Sequence, residues 1–167
     1  DRAAASIRPA FDRLSDILGC CAPALCAEAG LATGCAFGDL PHVWEETPPD
    51  RRVRFVGPLS LGGTAAQSML LAYVEGKPME EVGWGRASAE DIALLSQIHA
   101  LEFDLISRTP YIARRASVFI LDRVMQTLAA PEAPALTLLV GHDTNIANLG
   151  GTLDLHWHVP GYAPDDQ

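Results

Sequence analysis

The chain has 167 residues, 49% of them hydrophobic, which is enough to bury one ordinary core and too apolar for general disorder. Its net charge of −9, with basic runs only at Arg51–Arg54 and Arg114-Arg115, excludes the electrostatic footprint of a nucleic-acid binder. No apolar run reaches the ~18 residues that cross a bilayer, and Asp1-Arg2-Ala3-Ala4 does not read as the start of a signal peptide, so no membrane partner is expected.

Ile7 to Leu18 places apolar side chains at 7, 10, 11, 14, 17 and 18, with Asp12, Arg13 and Asp16 opposite. This spacing predicts an amphipathic helix that Gly19 ends. From Cys20 to Pro58 no periodicity survives, and glycines and prolines punctuate a long irregular connection. A loop of that length is usually functional or stapled. Cys20, Cys21, Cys26 and Cys35 supply candidate staples. Their spacing lacks the paired C-x-x-C grammar of zinc sites, so a disulfide is expected ahead of a metal, with four unpaired thiols as the alternative. His42 and Trp44, in the same stretch, read as surface or packing residues.

Ser60 can cap a helix running to Glu75, with Leu61, Ala65, Met69, Ala72 and Tyr73 along one side and Gly76 as terminator. Gly83-Trp84-Gly85-Arg86 predicts a tight connection, and Ser88-Ala89-Glu90-Asp91 approximates a capping box. The helix it opens carries Ile92, Leu95, Ile98, Leu101, Phe103, Leu105 and Ile106 and stops at Arg108-Thr109-Pro110, where proline disfavours a helical residue before it. His99, within that helix, reads as a packed or surface side chain. A further helix is expected from Tyr111 to Leu128, with Arg114 and Arg115 on its polar face, and Pro131 and Pro134 close the helical region.

Four apolar residues of five from Leu136 to Val140 predict a short strand buried on both faces. Gly141 breaks the pattern just before His142-Asp143-Thr144-Asn145, and a helix beginning near Thr144 or Asn145 comes next. Titratable side chains thus sit at a strand's C-terminal end, where open α/β sheets bind ligands. Free N–H groups of the helix start would favour an anion there.

Gly141-His142-Asp143-Thr144-Asn145, together with Ile146-Ala147-Asn148-Leu149-Gly150-Gly151, Trp157 and Pro160-Gly161, resembles the bacterial histidine acid phosphatases. The likeness is greatest to the periplasmic phytase and glucose-1-phosphatase group. Gly83-Trp84-Gly85-Arg86, Arg108-Thr109-Pro110 with Ile112-Ala113-Arg114, and the Cys26 to Cys35 spacing extend it over nearly the whole chain. The resemblance implies an α/β fold of the phosphoglycerate-mutase type. Residues 1–135 would be its helical insert domain, and residues 136–167 part of the α/β domain. A Cys26–Cys35 disulfide and a periplasmic or secreted location are implied with it; closing that loop would stabilise by roughly 2 to 3 kcal/mol on the chain-entropy model.

In this family a histidine in an Arg-His-Gly-x-Arg-x-Pro segment is the nucleophile, and these 167 residues contain no Arg-His or His-Gly pair. The resemblance therefore implies a piece of a longer enzyme, inactive in isolation. Its substrates would be phosphorylated small molecules, with no cofactor or metal. By resemblance His142 would contact the transferring phosphoryl oxygens and Asp143 would protonate the leaving oxygen. Thr144 and Arg108 match positions associated with substrate contact. Gln67 stands where phytase-like members often carry glutamate. For Arg108 the alternative is a cation at a helix C-terminus, interacting with its dipole. For the chain as a whole the alternative is a non-catalytic helical module that binds a partner, or the remnant of a decayed gene. Oligomeric state and substrate preference are left open.

Overall fold

A computed structural model of the chain describes residues 6–19, 23, 27, 37–41, 43–45, 54–132 and 134–160. It divides into two compact units, one of residues 1–102 with 158–166 and one of residues 103–157. Cys20, Cys21, Cys26, Cys35 and His42 lie outside the described residues.

In the first unit, helix α1 (Arg8–Leu18) follows its predicted face: Ile7, Ala10, Phe11, Leu14 and Ile17 are buried, and Gly19 closes the helix by donating its N–H to the Asp16 carbonyl. Helices α2 (Pro58–Val74) and α3 (Ala89–Phe103) contribute Leu59, Ala66 and Met69, and Ile92, Leu95 and Ile98, to the same core. Phe37 enters it from the loop, with its ring 6.1 Å from that of Phe11. Helix α2 begins earlier than Ser60 predicts. Gly57 takes the capping position and Pro58 the first turn, where its fixed φ is already helical and its missing N–H costs nothing. Ser60 therefore lies inside the helix. The connection expected to be wholly irregular holds two short antiparallel strands, β1 (Val43–Glu45) and β2 (Arg54–Val56), paired Val43 to Val56 and Glu45 to Arg54. Three residues per strand are too few to leave a legible alternation.

The turn before α3 is tight because Gly83, Trp84 and Gly85 are all left-handed, with φ of 55°, 58° and 72°. Two glycines adopt that conformation freely, and the tryptophan between them is strained. Helix α3 then starts as the sequence predicts. Ser88 N–H donates to Asp91 Oδ2 at 2.8 Å and Asp91 N–H to Ser88 Oγ at 3.2 Å, the reciprocal bonds of a capping box. Asp91 also accepts two bonds from Arg13 of α1, at 2.6 and 2.7 Å.

Those Arg13 bonds, helped by the Ser88 N–H and opposed by partial burial, hold the Asp91 carboxyl down from 3.8 to about 2. A depressed folded-state pKa contributes stability that is present above the unfolded value and lost as pH falls from near 4 through about 2. Arg13 is more than one-third exposed, so solvent screening limits the contribution to about 1 kcal/mol. The urea midpoint of Asp91→Asn is accordingly expected to fall below wild type at pH 6 and to approach it toward pH 2; a gap of constant size would contradict the pairing. On the same helix, Glu102 packs its carboxylate against Gly63 of α2, and burial pushes its carboxyl above the ordinary value despite a hydrogen bond from Ser60.

The second unit begins where α3 widens into a π-type turn, Asp104–Arg108. The single helix expected over Tyr111 to Leu128 is two, α4 (Pro110–Ala116) and α5 (Val118–Ala129), meeting at Ser117. Ser117 is fully buried, and its hydroxyl oxygen lies 3.2 Å from Thr152 Oγ1, a polar contact at the junction of the two helices. Helix α6 (Asp143–Leu153) packs on α4 and on the wide turn through small residues: Ala113, Ala147 and Gly150 are buried. Leu136–Val140 form no strand, which corrects the expectation of one buried on both faces. A strand exists only through pairing, and among the described residues nothing pairs with this segment; Leu136 and Val140 are 82% and 89% exposed. The described second unit is therefore helical. Among the described residues no helix is long and apolar enough to cross a membrane.

Candidate active site

The polar turn after Gly141 becomes the start of α6. His142, in extended conformation, is its N-cap, and its carbonyl accepts the N–H of Asn145 at 2.9 Å and of Ile146 at 3.3 Å. Asn145 returns a bond, its Oδ1 accepting the His142 N–H at 2.9 Å. This reciprocal cap fixes the backbone of His142 while its side chain stays exposed.

Asp143 occupies the first helical position. Its Oδ1 accepts from the Thr144 N–H at 2.5 Å and from the Thr144 hydroxyl at 3.0 Å, which turns the carboxylate toward the positive end of the helix dipole. His142, Asp143 and Thr144 therefore stand together on one helix terminus. The expectation of free donors here changes: the N–H groups of Thr144, Asn145 and Ile146 already donate within the turn. They favour an anion through the dipole instead. The histidine lines a cleft of about 410 Å³, formed with Ile120, Val124, Leu139, Ile146 and Leu149. Most of the residues that line the cleft are apolar.

Arg108, expected as a substrate contact, is placed elsewhere. It lines a second cavity of about 300 Å³ with Asp104, Gly150, Gly151, Asp154 and His156, at the C-terminal end of α6. Seven residues of helix rise separate Gly150 from Asp143, about 10 Å. The guanidinium is buried and bonded to the Leu155 carbonyl at 2.7 Å. The structure brings three of the four expected site residues together and sets the fourth apart. Gln67 lies half-buried in α2 of the first unit. Asn145, which holds the cap, is not marked out by the sequence reading, although an amide at the third helical position is a recognisable partner for an N-cap.

No family model matches the chain. Phytase AppA of Escherichia coli (strain K12) is 35% identical over 126 residues, 68% of this chain and 28% of that protein. Glucose-1-phosphatase of Salmonella typhimurium is 35% identical over 101 residues, 59% of this chain and 24% of that protein. The solved phytase from Citrobacter braakii superposes with a TM-score of 0.75 at 30% identity, covering 93% of this chain and 40% of its own. The chain thus spans about a quarter of the length of these curated relatives. Similar sequence, shared fold and the His142-Asp143 turn at a helix start converge on one assignment: the chain belongs to the histidine acid phosphatase family.

Proposed function

We propose that this chain supplies part of the active site of an acid phosphatase that hydrolyses phosphate monoesters through a phosphohistidine. The observation that carries the reading is the His142–Asp143 pair at the capped start of α6, in a family whose named relatives are phytases and glucose-1-phosphatases. In the first step a histidine nucleophile attacks phosphorus and the ester P–O bond breaks. His142 donates to the phosphoryl oxygens, and Asp143 delivers its proton to the departing alkoxide. In the second step water attacks phosphorus, the P–N bond breaks, and the Asp143 carboxylate receives the proton of that water.

Thr144 donates to the Asp143 carboxylate and, on this reading, also contacts the substrate. The substrate class is phytate, glucose 1-phosphate or a similar monoester. On this reading residues 1–135 are the helical insert and residues 136–167 belong to the α/β domain. A Cys26–Cys35 bridge and a periplasmic or secreted location accord with four cysteines crowded into sixteen residues.

The complete gene product is expected to release phosphate from p-nitrophenyl phosphate at about pH 4 to 6, the range in which a carboxylic acid can act as a donor. It is also expected to carry an acid-labile phosphoryl group after rapid quenching. Purified residues 1–167 are expected to release none, because they hold no Arg-His-Gly segment. Absence of release by the complete product would defeat the proposal, as would turnover by the isolated chain.

A further inference from the structure

Arg108 is held from several sides. Its Nη2 donates to the Leu155 carbonyl at 2.7 Å and lies 3.3 Å from His156 Nδ1. Its Nε lies 3.3 Å from Asp104 Oδ1, and its guanidinium carbon sits 4.9 Å from the centre of the Trp157 ring. A planar fork that stacks on an indole while donating at its edge is chemistry that lysine, a point charge, cannot reproduce. The π-type turn delivers the side chain, since an additional residue in the turn rotates the positions after it and leaves Ser107 and Arg108 buried at its end. Helix α6 accommodates it with a glycine pair. A Cβ on Gly151 would fall on the Arg108 backbone, and one on Gly150 would lie 2.5 Å from Arg108 Nη1 and 3.1 Å from the Trp157 ring.

We infer that Arg108, Trp157 and the Gly150-Gly151 pair clamp the C-terminal end of α6 and thereby fix the helix axis that sets the positions of His142 and Asp143. Arg108 is then a positioning residue that acts through α6. The inference rests on the roles proposed above for the histidine and the aspartate. Asp143 lies about 10 Å along the helix from the clamp, so a tilt of about 10° there would displace it by about 2 Å. Misplacement of about 1 Å can cost on the order of 10²-fold in rate.

The test compares Arg108→Lys and Trp157→Leu in the complete gene product, with p-nitrophenyl phosphate and an alkyl phosphate as substrates. Both variants are expected to lower kcat by about 10- to 100-fold with KM within about twofold, and the double variant to be little worse than the worse single. A substrate contact would behave otherwise: Arg108→Lys would raise KM with kcat retained, and Trp157→Leu would resemble wild type. That result would overturn the inference. Amide spectra of the complete gene product separate the clamp from the chemistry. Arg108→Lys is expected to shift His142–Asn145 as well as Leu155–Trp157, whether or not the complete product is a phosphatase. Trp157→Phe, a milder change should the first variant unfold, is expected to move the same amides by less. Changes confined to Leu155–Trp157 in both variants would sink the clamp.

Discussion

Asp143→Asn in the complete gene product is expected to slow hydrolysis of alkyl phosphates by on the order of 10²-fold or more, the range for losing a general acid. The geometry makes this variant a clean probe of the proton. In the structure Asp143 Oδ1 accepts from the Thr144 N–H and hydroxyl, and an asparagine Oδ1 can accept both bonds in the same place. The helix start and the His142 cap, which depends on Asn145, should therefore persist. What disappears is the transferable proton. An alkoxide is a poor leaving group without protonation, whereas p-nitrophenolate departs without it, so the loss should be much smaller on p-nitrophenyl phosphate. An equal loss on both substrates would point to altered binding, and an unchanged rate on the alkyl ester would refute the assignment. The pH profile gives a second reading of the same residue. Wild type should lose activity on alkyl esters as pH rises and Asp143 ionises, and the asparagine variant should lack that limb.

The parts of this fold that local chemistry dictates are legible in the chain. The stripe Ile7, Ala10, Phe11, Leu14, Ile17 specifies α1 because each of those residues finds the core, and Ser88 with Asp91 specifies the start of α3 by two bonds within four residues. The start of α6 is readable to within two residues, since Gly141 stops one pattern and polar residues open the next. Features that depend on distant partners are not legible. Leu136–Val140 has the composition of a buried strand, but composition cannot supply the neighbour that makes one. The break at Ser117 coincides with a contact to Thr152, 35 residues later. Arg108 shows the same limit at the site. Read locally it is a cation at the end of a helix, yet the groups that fix it, the Leu155 carbonyl and the Trp157 ring, come more than forty residues on.

Gly151→Ala separates local propensity from tertiary approach, because the two predict opposite signs. Residue 151 lies within α6, and on propensity alone an alanine there should stabilise the helix by about 1 kcal/mol. Its Cβ, however, would land on the Arg108 backbone, which cannot swing aside as a side-chain tip can. Forcing a methyl into a packed contact typically costs about 1 to 3 kcal/mol, and a backbone obstacle belongs at the upper end. The clash should win by about 1 to 2 kcal/mol net, which lowers Tm by several degrees for a domain of this size. Gly150→Ala is the internal control: it gains the same propensity and meets only the Arg108 guanidinium and the Trp157 ring, so its loss should be smaller and should shrink further in an Arg108→Ala background. Gly151→Ala should stay destabilised in that background, since the obstacle is main chain. A rise in Tm for Gly151→Ala would mean that α6 does not approach Arg108 this closely, and the clamp would lose its geometric basis.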